Sequence, residues 1–317
     1  MSESDVDIVL PATLDGLRLD RALALVSGLS RAEVARLIDS GEVQLDGAVV
    51  AKASLKVVEG QHLVARIDET SDAVEPDASV PVDVVAEGED YLVINKRAGQ
   101  VVHPGAGQLI GTLIAGVLAR RPEIAQLASE GLCDPSRPGV VHRLDKGTSG
   151  LLVVATTRRG LETLREELAS RVMGRTYLGL VDGHVEEDRG VVEAPIGRST
   201  RQPTLMAVRA DGREARTHYD VLARLDRPAT SLLRLRLDTG RTHQIRVHLS
   251  TIGHPVVNDL RYGHRRDRRL EEERFFLHSY QLEFVDPATG EPQRFTADLP
   301  GDLSELAPHW REFLSTS

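Results

Sequence analysis

An acidic segment without apolar periodicity divides this chain of 317 residues into two parts of unequal length. Between Asp68 and Pro81 there are five acidic residues, two prolines and no basic residue. This composition is typical of a linker. The total length also fits two domains of roughly 150 residues each. We therefore predict a small domain over residues 1–66, a linker over residues 67–81 and a larger domain over residues 82–317.

The first part has the pattern of two helices followed by short strands. Residues 17–26 place apolar side chains along one helical face, and a second helix starts after Ser30, with Glu33 at the position that completes a capping box. Asp46-Gly47, between the apolar pairs of residues 43–50, is a hairpin signal. We expect a small α/β domain.

The second part alternates short β-branched runs with a few helical segments. Residues 91–94, 151–154, 233–237 and 244–249 read as strands, and residues 157–171 read as an amphipathic helix. Strands and helices do not alternate regularly, so a parallel doubly wound sheet is not indicated. We predict an α+β domain with a mixed, largely antiparallel sheet.

Charge alone does not decide whether the partner is a nucleic acid. The chain has 48 acidic and 39 basic residues, for a net charge of −9, which opposes binding to phosphate. Only four basic residues are lysines, however, and arginine both grips phosphate and stacks on bases. An arginine excess also follows from genome composition. Both interpretations stay open at this point.

Several classes of protein are excluded by simple features. The single cysteine, Cys133, excludes a disulfide framework and a zinc knuckle. The first five residues include two acidic residues and no basic one, whereas a signal peptide begins with basic residues. No run approaches the ~20 apolar residues of a membrane span. Neither a Walker loop nor a His-Glu-x-x-His motif occurs. We expect a soluble cytoplasmic protein.

Two segments concentrate groups suited to chemistry. In residues 239–249, Gln244, Arg246 and His248 alternate with apolar residues. A strand would place these three polar side chains on one face. That face is either a functional surface or an ordinary solvated one. In residues 139–150, Asp145 stands among basic residues that favour its ionised form, as a nucleophile or base needs. Alternatively, Asp145 only caps a turn.

Five motifs within residues 82–299 resemble those of the RluA/RluD-type RNA pseudouridine synthases. In chain order they are Asn95-Lys96 with Gly99 and Val102-His103-Pro104-Gly105; His142-Arg143-Leu144-Asp145 with Thr148-Ser149-Gly150; Tyr177 in Arg175-Thr176-Tyr177-Leu178; residues 240–249; and Gly253-His254-Pro255. The N-terminal part resembles the αL RNA-binding module of a small-subunit ribosomal protein, which many members of this family carry.

The resemblance implies a pseudouridine synthase fold and a cofactor-independent isomerase that detaches uracil from ribose, turns it and reattaches it through carbon 5. Asp145 would be the attacking carboxylate and Arg246 its basic partner, while Tyr177 would stack on uracil or handle a proton. Base flipping is implied as well. The implied RNA-binding residues are His142, Arg143, Arg241 and His243, with Arg31 and Arg36 on the small domain.

The resemblance also implies a partner, namely RNA, with large-subunit ribosomal RNA as the expected substrate. It implies no metal and no redox cofactor, and the ordinary composition suggests a monomer. Two alternatives remain at this stage. One is a non-catalytic RNA-binding or ribosome-assembly factor on the same scaffold, and the other is a synthase directed at tRNA.

Overall fold

The computed structural model of the protein describes residues 6–29, 31–67, 73–105, 108–202, 204–263 and 265–315. The chain forms two compact units, residues 1–73 and 74–317. Residues 77–81 bond within the larger unit, since the Asp77 N–H donates to the Ala115 carbonyl and Gln100 donates to the Pro81 carbonyl. Within the described ranges, no helix is long and apolar enough to cross a membrane.

The smaller unit is a four-stranded antiparallel sheet with two helices. Its elements are β1 (Val6–Val9), α1 (Leu19–Ser27), α2 (Arg31–Asp39), β2 (Val43–Leu45), β3 (Ala48–Val49) and β4 (His62–Ala65), and the strand order is β1-β4-β2-β3. Asp46 and Gly47 both have positive φ, as the predicted hairpin turn between β2 and β3 requires. Both helices and the hairpin are thus confirmed. The proposed Ser30 cap and the Glu33 side chain lie outside the described part of the structure.

The larger unit is built on a mixed sheet of nine strands. Its strands are β5 (Val84–Glu87), β6 (Tyr91–Lys96), β7 (Ser149–Ala155), β8 (Gly174–Asp182), β9 (Arg189–Glu193), β10 (Ile196–Arg198), β11 (Met206–Val208), β12 (Arg216–Asp226), β13 (Ala229–Leu237), β14 (Leu277–Val285) and β15 (Pro292–Thr296). Its helices are α3 (Leu113–Arg120), α4 (Gln126–Ser129), α5 (Arg158–Ala169), α6 (Gln244–Thr251), α7 (Gly301–Ser304) and α8 (Trp310–Ser315).

The sheet is largely antiparallel, which confirms the predicted α+β class. The strand order is β5-β6-β7-β14-β8-β13-β12-β9, and β15 pairs with the outer part of β14. Among the pairs within this sheet, only β7 and β14 run parallel, and β10 and β11 form a separate hairpin. The middle strands β7 and β8 are buried almost throughout, so they form a rigid floor for the loops at their ends.

The strand predicted over residues 244–249 is wrong, because this segment forms helix α6. Ile245 and Leu249 pack into the main core, one helical turn apart, whereas Val247 packs on the other side with Ile196 and Ala215. A helix buried on both sides needs apolar residues on both sides. Because Ile245, Val247 and Leu249 are two positions apart, their alternation with polar residues resembles the pattern of a strand.

A close backbone approach brings β7 and β14 together at the point where the loop 139–148 ends. Gly150 has a φ of +108°, and a Cβ atom there would lie 2.2 Å from the Ser279 carbonyl oxygen. Only glycine fits this position without displacing backbone. The loop that carries Asp145 is therefore fixed directly to the centre of the sheet.

Core packing in the larger unit predicts a contrast between two valine positions. Val93 on β6 is fully buried, whereas Val191 on β9 is 53% exposed. We expect Val93→Ala to lower the free energy of unfolding by about 2–3 kcal/mol, because it removes buried methyl groups and leaves a cavity. The matched Val191→Ala should change it by less than about 0.5 kcal/mol in urea unfolding. Equal losses would contradict this account of the core.

Candidate active site

A cavity of about 640 Å³ opens in the larger unit between the loop 139–148, strand β8 and residues 237–246. Its wall brings together predicted site residues that are far apart in the sequence, namely Asp145, Tyr177, Arg246, His142, Arg143, Arg241 and His243. Arg31 and Arg36 belong to α2 of the smaller unit, and their side chains lie outside what the structure describes.

Asp145 and Arg246 form an ion pair at the base of this cavity. Arg246 Nη1 donates to Asp145 Oδ2 across 3.0 Å, although 101 positions separate the two residues in the chain. The arginine side chain is 5% exposed and the aspartate side chain 16% exposed. The Arg246 contact therefore fixes the orientation of the Asp145 carboxylate in the lining of the cavity.

A second carboxylate, Asp259, holds the arginine in place. Arg246 Nε and Nη2 donate to the two oxygens of Asp259 across 2.6 and 2.9 Å, and Asp259 is buried. Burial lowers the pKa of Arg246, but the Asp259 hydrogen bonds and the two negative charges outweigh it, so the net pKa is raised. The bidentate contact fixes the plane of the guanidinium. No local sequence pattern indicates Asp259 as a site residue.

Aromatic rings complete the surroundings of this guanidinium. The Arg246 guanidinium carbon lies 4.2 Å from the centroid of the Phe275 ring and 5.0 Å from that of Tyr262. Such contacts stabilise a cation that has been removed from water. Arg246 is thus held by two carboxylates and two rings, which restricts it to one orientation.

His243 is positioned beside Asp145 by Tyr262. His243 adopts a left-handed backbone conformation, with a φ of 58°, directly before α6. Its Nδ1 lies 2.7 Å from the Tyr262 hydroxyl, and its Nε2 lies 4.0 Å from Asp145 Oδ1. The Tyr262 oxygen already accepts from the Met206 N–H, so its own proton is available to His243 Nδ1. In the His243 tautomer that accepts this proton on Nδ1, the Nε2 proton lies on the side of Asp145.

Tyr177 and Lys96 approach Asp145 from the sheet. Burial raises the pKa of Tyr177, which keeps its hydroxyl neutral, and the side chain hydrogen-bonds Ser279 on β14. Lys96 is fully buried and donates to the carbonyls of Arg97, Gln100 and Lys146. Burial lowers the pKa of Lys96 to about 7, partly offset by the charge of Asp145.

The remaining predicted residues occupy different parts of the cavity wall. Arg143 is exposed, and Arg241 Nε donates to the Glu214 carbonyl across 3.0 Å. His142 accepts from the Val153 N–H. Gln244, which also lines the cavity, accepts from the Thr239 hydroxyl and donates to Thr217.

His248, the third polar residue of the predicted face, bonds to Thr217 and to the Ala194 carbonyl. Of the three polar residues of that face, only Arg246 therefore reaches Asp145. The helix turns the other two into the interior, where they hold the segment in place.

Two family models match the chain. The model described as RNA pseudouridylate synthase matches residues 90–251, and the model of the S4 domain matches residues 17–63. The first match spans Asp145, Tyr177 and Arg246. The chain belongs to the RNA pseudouridine synthase family.

Similar proteins agree with this assignment. The chain is 40% identical to ribosomal large subunit pseudouridine synthase D of Nitrosomonas europaea, over 96% of this chain and 88% of that protein. It is 45% identical to an uncharacterized RNA pseudouridine synthase of Chloroflexus aurantiacus, over 93% and 90% respectively. The solved structure of human RNA pseudouridylate synthase domain containing 1 aligns with a TM-score of 0.56 and 25% identity, over 76% of this chain and 96% of that chain.

These matches confirm both resemblances inferred from the sequence. An RNA pseudouridine synthase is an isomerase. The family therefore favours an enzyme over the alternative of a non-catalytic RNA-binding factor. The pseudouridine synthase domain also explains why charged groups are buried around one carboxylate. Such an arrangement is costly for stability, because each charge loses its hydration when it is buried.

Replacing the buried partner of Arg246 should be far more damaging than replacing an exposed aspartate of similar geometry. We expect Asp259→Asn to lower the free energy of unfolding by about 3–5 kcal/mol, because it leaves buried charge uncompensated. The control is Asp298→Asn, whose carboxylate pairs with Arg311 at 2.6 Å with both side chains largely exposed. That change should cost less than about 1 kcal/mol in the same urea titration. Equal costs would refute the anchoring role.

Lys96 predicts a specific dependence of stability on pH. Its folded-state pKa of about 7 lies below the ordinary 10.5, so the unfolded chain binds more protons between these values and stability rises with pH there. We expect the difference in unfolding free energy, native protein minus Lys96→Met, to grow from about pH 7 to about pH 10. Other titrating groups are common to both proteins. A difference that stays constant would contradict the prediction.

Proposed function

We propose that this protein converts specific uridines of large-subunit ribosomal RNA to pseudouridine, with Asp145 as the attacking carboxylate. The observation that carries the proposal is the buried pair of Asp145 and Arg246 at the base of a cavity, anchored by Asp259. The choice of RNA is supported by the name of the Nitrosomonas relative, which matches along nearly the whole chain. The S4 domain supports RNA as the partner.

The chemistry needs a carboxylate that is ionised yet poorly solvated. Cleavage of the bond between uracil and ribose builds positive charge at the anomeric carbon, as in glycoside chemistry, and a carboxylate stabilises or attacks that carbon. Asp145 uses one oxygen for Arg246, and its other oxygen points towards the cavity near His243. Attack on the ribose and attack on the base are both compatible with this placement.

Tyr177 supports the reaction from the sheet side of the cavity. Its pKa is raised by burial, so the hydroxyl is neutral at physiological pH and the ring offers an apolar surface. A uracil ring that stacks on Tyr177 would be held within reach of Asp145. In the alternative role, the same hydroxyl handles the proton that leaves carbon 5.

The burial of Asp145 supports base flipping as part of the proposal. Its side chain is only 16% exposed at the base of the cavity, so a uracil stacked within RNA is out of its reach. We propose that the target nucleotide turns into the cavity and that Arg143, exposed on the rim, fills the vacated space. Arg241 and His243 are proposed to contact phosphate or base edges, and Arg31 and Arg36 to contribute an RNA surface on the S4 domain.

Release of tritium from carbon 5 of uridine tests the proposal directly. The native protein should release tritium from large-subunit ribosomal RNA transcripts, and Asp145→Ala should slow release by more than about 1,000-fold. RNA affinity should stay or improve, because the substitution removes a negative charge. The control is Asp188→Asn, in which the aspartate is 85% exposed and which should keep full activity.

A parallel assay on tRNA separates the two substrate classes. Release from ribosomal RNA alone supports the proposed substrate, and release from tRNA alone replaces it with a tRNA-directed function. Unchanged release by a folded Asp145→Ala would overturn the proposed role of Asp145.

A further inference from the structure

Three buried nitrogen atoms in the wall of the cavity have no hydrogen-bond partner among the described residues. They are His103 Nδ1, His142 Nδ1 and Arg175 Nε. Five buried side-chain atoms of the described chain share this condition, so three of the five belong to this one cavity. Buried polar atoms are nearly always paired, and each exception calls for an explanation. Because all three residues line the cavity, a polar ligand bound there is the candidate partner for these atoms.

The protonation of His142 is fixed by its neighbour on β7. The Val153 N–H donates to His142 Nε2 across 3.0 Å, so that nitrogen carries a lone pair. Burial lowers the pKa of His142 to about 3, with a smaller effect from the charge of Arg175. The ring is therefore neutral at pH 7 and carries its proton on Nδ1. His142 Nδ1 is a hydrogen-bond donor.

Arg175 is a buried cation that makes no close ion pair among the described residues, although the charge of Asp238 partly offsets the effect of burial on its pKa. It lies two positions before Tyr177 on β8, so both side chains are on the same face of the sheet. The guanidinium donates from Nη2 to the Leu237 carbonyl at 3.5 Å, and its Nε remains unpaired. Gly240 makes room for it, since a Cβ there would lie 2.7 Å from Arg175 Nη1. Arg175 Nε is a second donor in the cavity.

We propose that His142 Nδ1 and Arg175 Nε donate hydrogen bonds to the carbonyl oxygens of the target uracil and stabilise the negative charge that these oxygens gain during the reaction. This inference rests on the proposed function. His103 is not part of it, because no hydrogen bond among the described residues fixes which of its ring nitrogens carries the proton.

The charge balance of the reaction requires such donors by either route. When the bond from the anomeric carbon to N1 breaks, its electron pair stays on uracil and spreads over N1, O2 and O4. When Asp145 instead adds to carbon 6, an electron pair of the ring moves to O4. In the final step, carbon 5 bonds to the anomeric carbon, the covalent bond to Asp145 breaks and returns its electron pair to the carboxylate, the carbon 5 proton leaves, and N1 takes up a proton. Hydrogen bonds from fixed donors strengthen as the oxygens become negative, which lowers the barrier.

The same donors give a reason for selectivity against cytosine. Uracil presents an acceptor oxygen at position 4, where cytosine presents an amino group that is itself a donor. A buried donor that faces this amino group in place of O4 stays unpaired, and a site of this kind rejects the analogue strongly. His142 and Arg175 are thus candidate specificity-determining residues.

Thio-substituted transcripts combined with two pairs of variants test the proposal. His142→Gln keeps an acceptor near the Nε2 position for the Val153 N–H but removes the Nδ1 donor, whereas His142→Asn keeps an amide donor near Nδ1. Arg175→Lys keeps the charge and places a methylene at the Nε position, whereas Arg175→Met also removes the charge. Pseudouridine formation under single-turnover conditions is measured by nucleoside analysis on RNA made with uridine, 2-thiouridine or 4-thiouridine.

The native protein should be slower on at least one thio transcript by roughly 10-fold or more, because sulfur is the weaker acceptor. His142→Gln and Arg175→Lys should be slowed by roughly 10- to 100-fold on uridine RNA, and their penalty for sulfur should largely disappear. Arg175→Met should be slower still, and His142→Asn should retain the native penalty. Since every protein meets the same transcripts, effects of sulfur on RNA structure cancel in the comparison.

A native-sized sulfur penalty on both thio transcripts in folded His142→Gln and Arg175→Lys would overturn the proposal and leave these residues a structural role. Thermal melting of each variant identifies those that fail to fold, and the His142 pair keeps the test decisive if the Arg175 variants do. If the native protein forms no pseudouridine in ribosomal RNA or tRNA, the proposed function fails first, and this inference fails with it.

Discussion

The guanidinium of Arg246 lies between two carboxylates, and the geometry of the whole cavity depends on this arrangement. Asp259 takes two of its N–H groups in a bidentate contact, so the remaining Nη1 donates to a single oxygen of Asp145. The other oxygen of Asp145 therefore remains available on the cavity side. Had Arg246 bound Asp145 through both nitrogens, both carboxylate oxygens would be engaged. The anchoring aspartate thus leaves one oxygen of Asp145 free for the proposed attack.

The backbone around Asp145 is fixed as firmly as its side chain. Gly147 lies against the backbone of residue 273, where a Cβ would come within 2.2 Å of the Glu273 carbonyl oxygen. Lys96 binds the Lys146 carbonyl from below, and Arg274 binds the Gly147 carbonyl from the other side. The loop that carries Asp145 therefore gains its shape from long-range contacts with the sheet. These contacts position the Asp145 carboxylate in advance of substrate binding.

Much of this structure was predictable from local sequence patterns, and what escaped prediction depends on long-range contacts. The runs at β6 and β7 and the helix α5 follow from apolar periodicity, which is local. The strand predicted over residues 244–249 was wrong because α6 is buried on both sides. Asp259 is one of six acidic residues between Ser231 and Phe275, and nothing in the local sequence marks it as the partner of Arg246. Likewise, the sequence does not reveal that Arg175 is buried.

The distribution of charge also reconciles a net acidic chain with an RNA substrate. The wall of the cavity contains seven arginines and four acidic residues, although the whole chain has a charge of −9. The three histidines of the wall add no charge, because burial lowers the pKa of His103 to about 4, that of His142 to about 3 and that of His243 below its ordinary value. Arginine alone therefore supplies the positive potential, and it does so independently of pH. A phosphate backbone responds to this local field and not to the average over the chain.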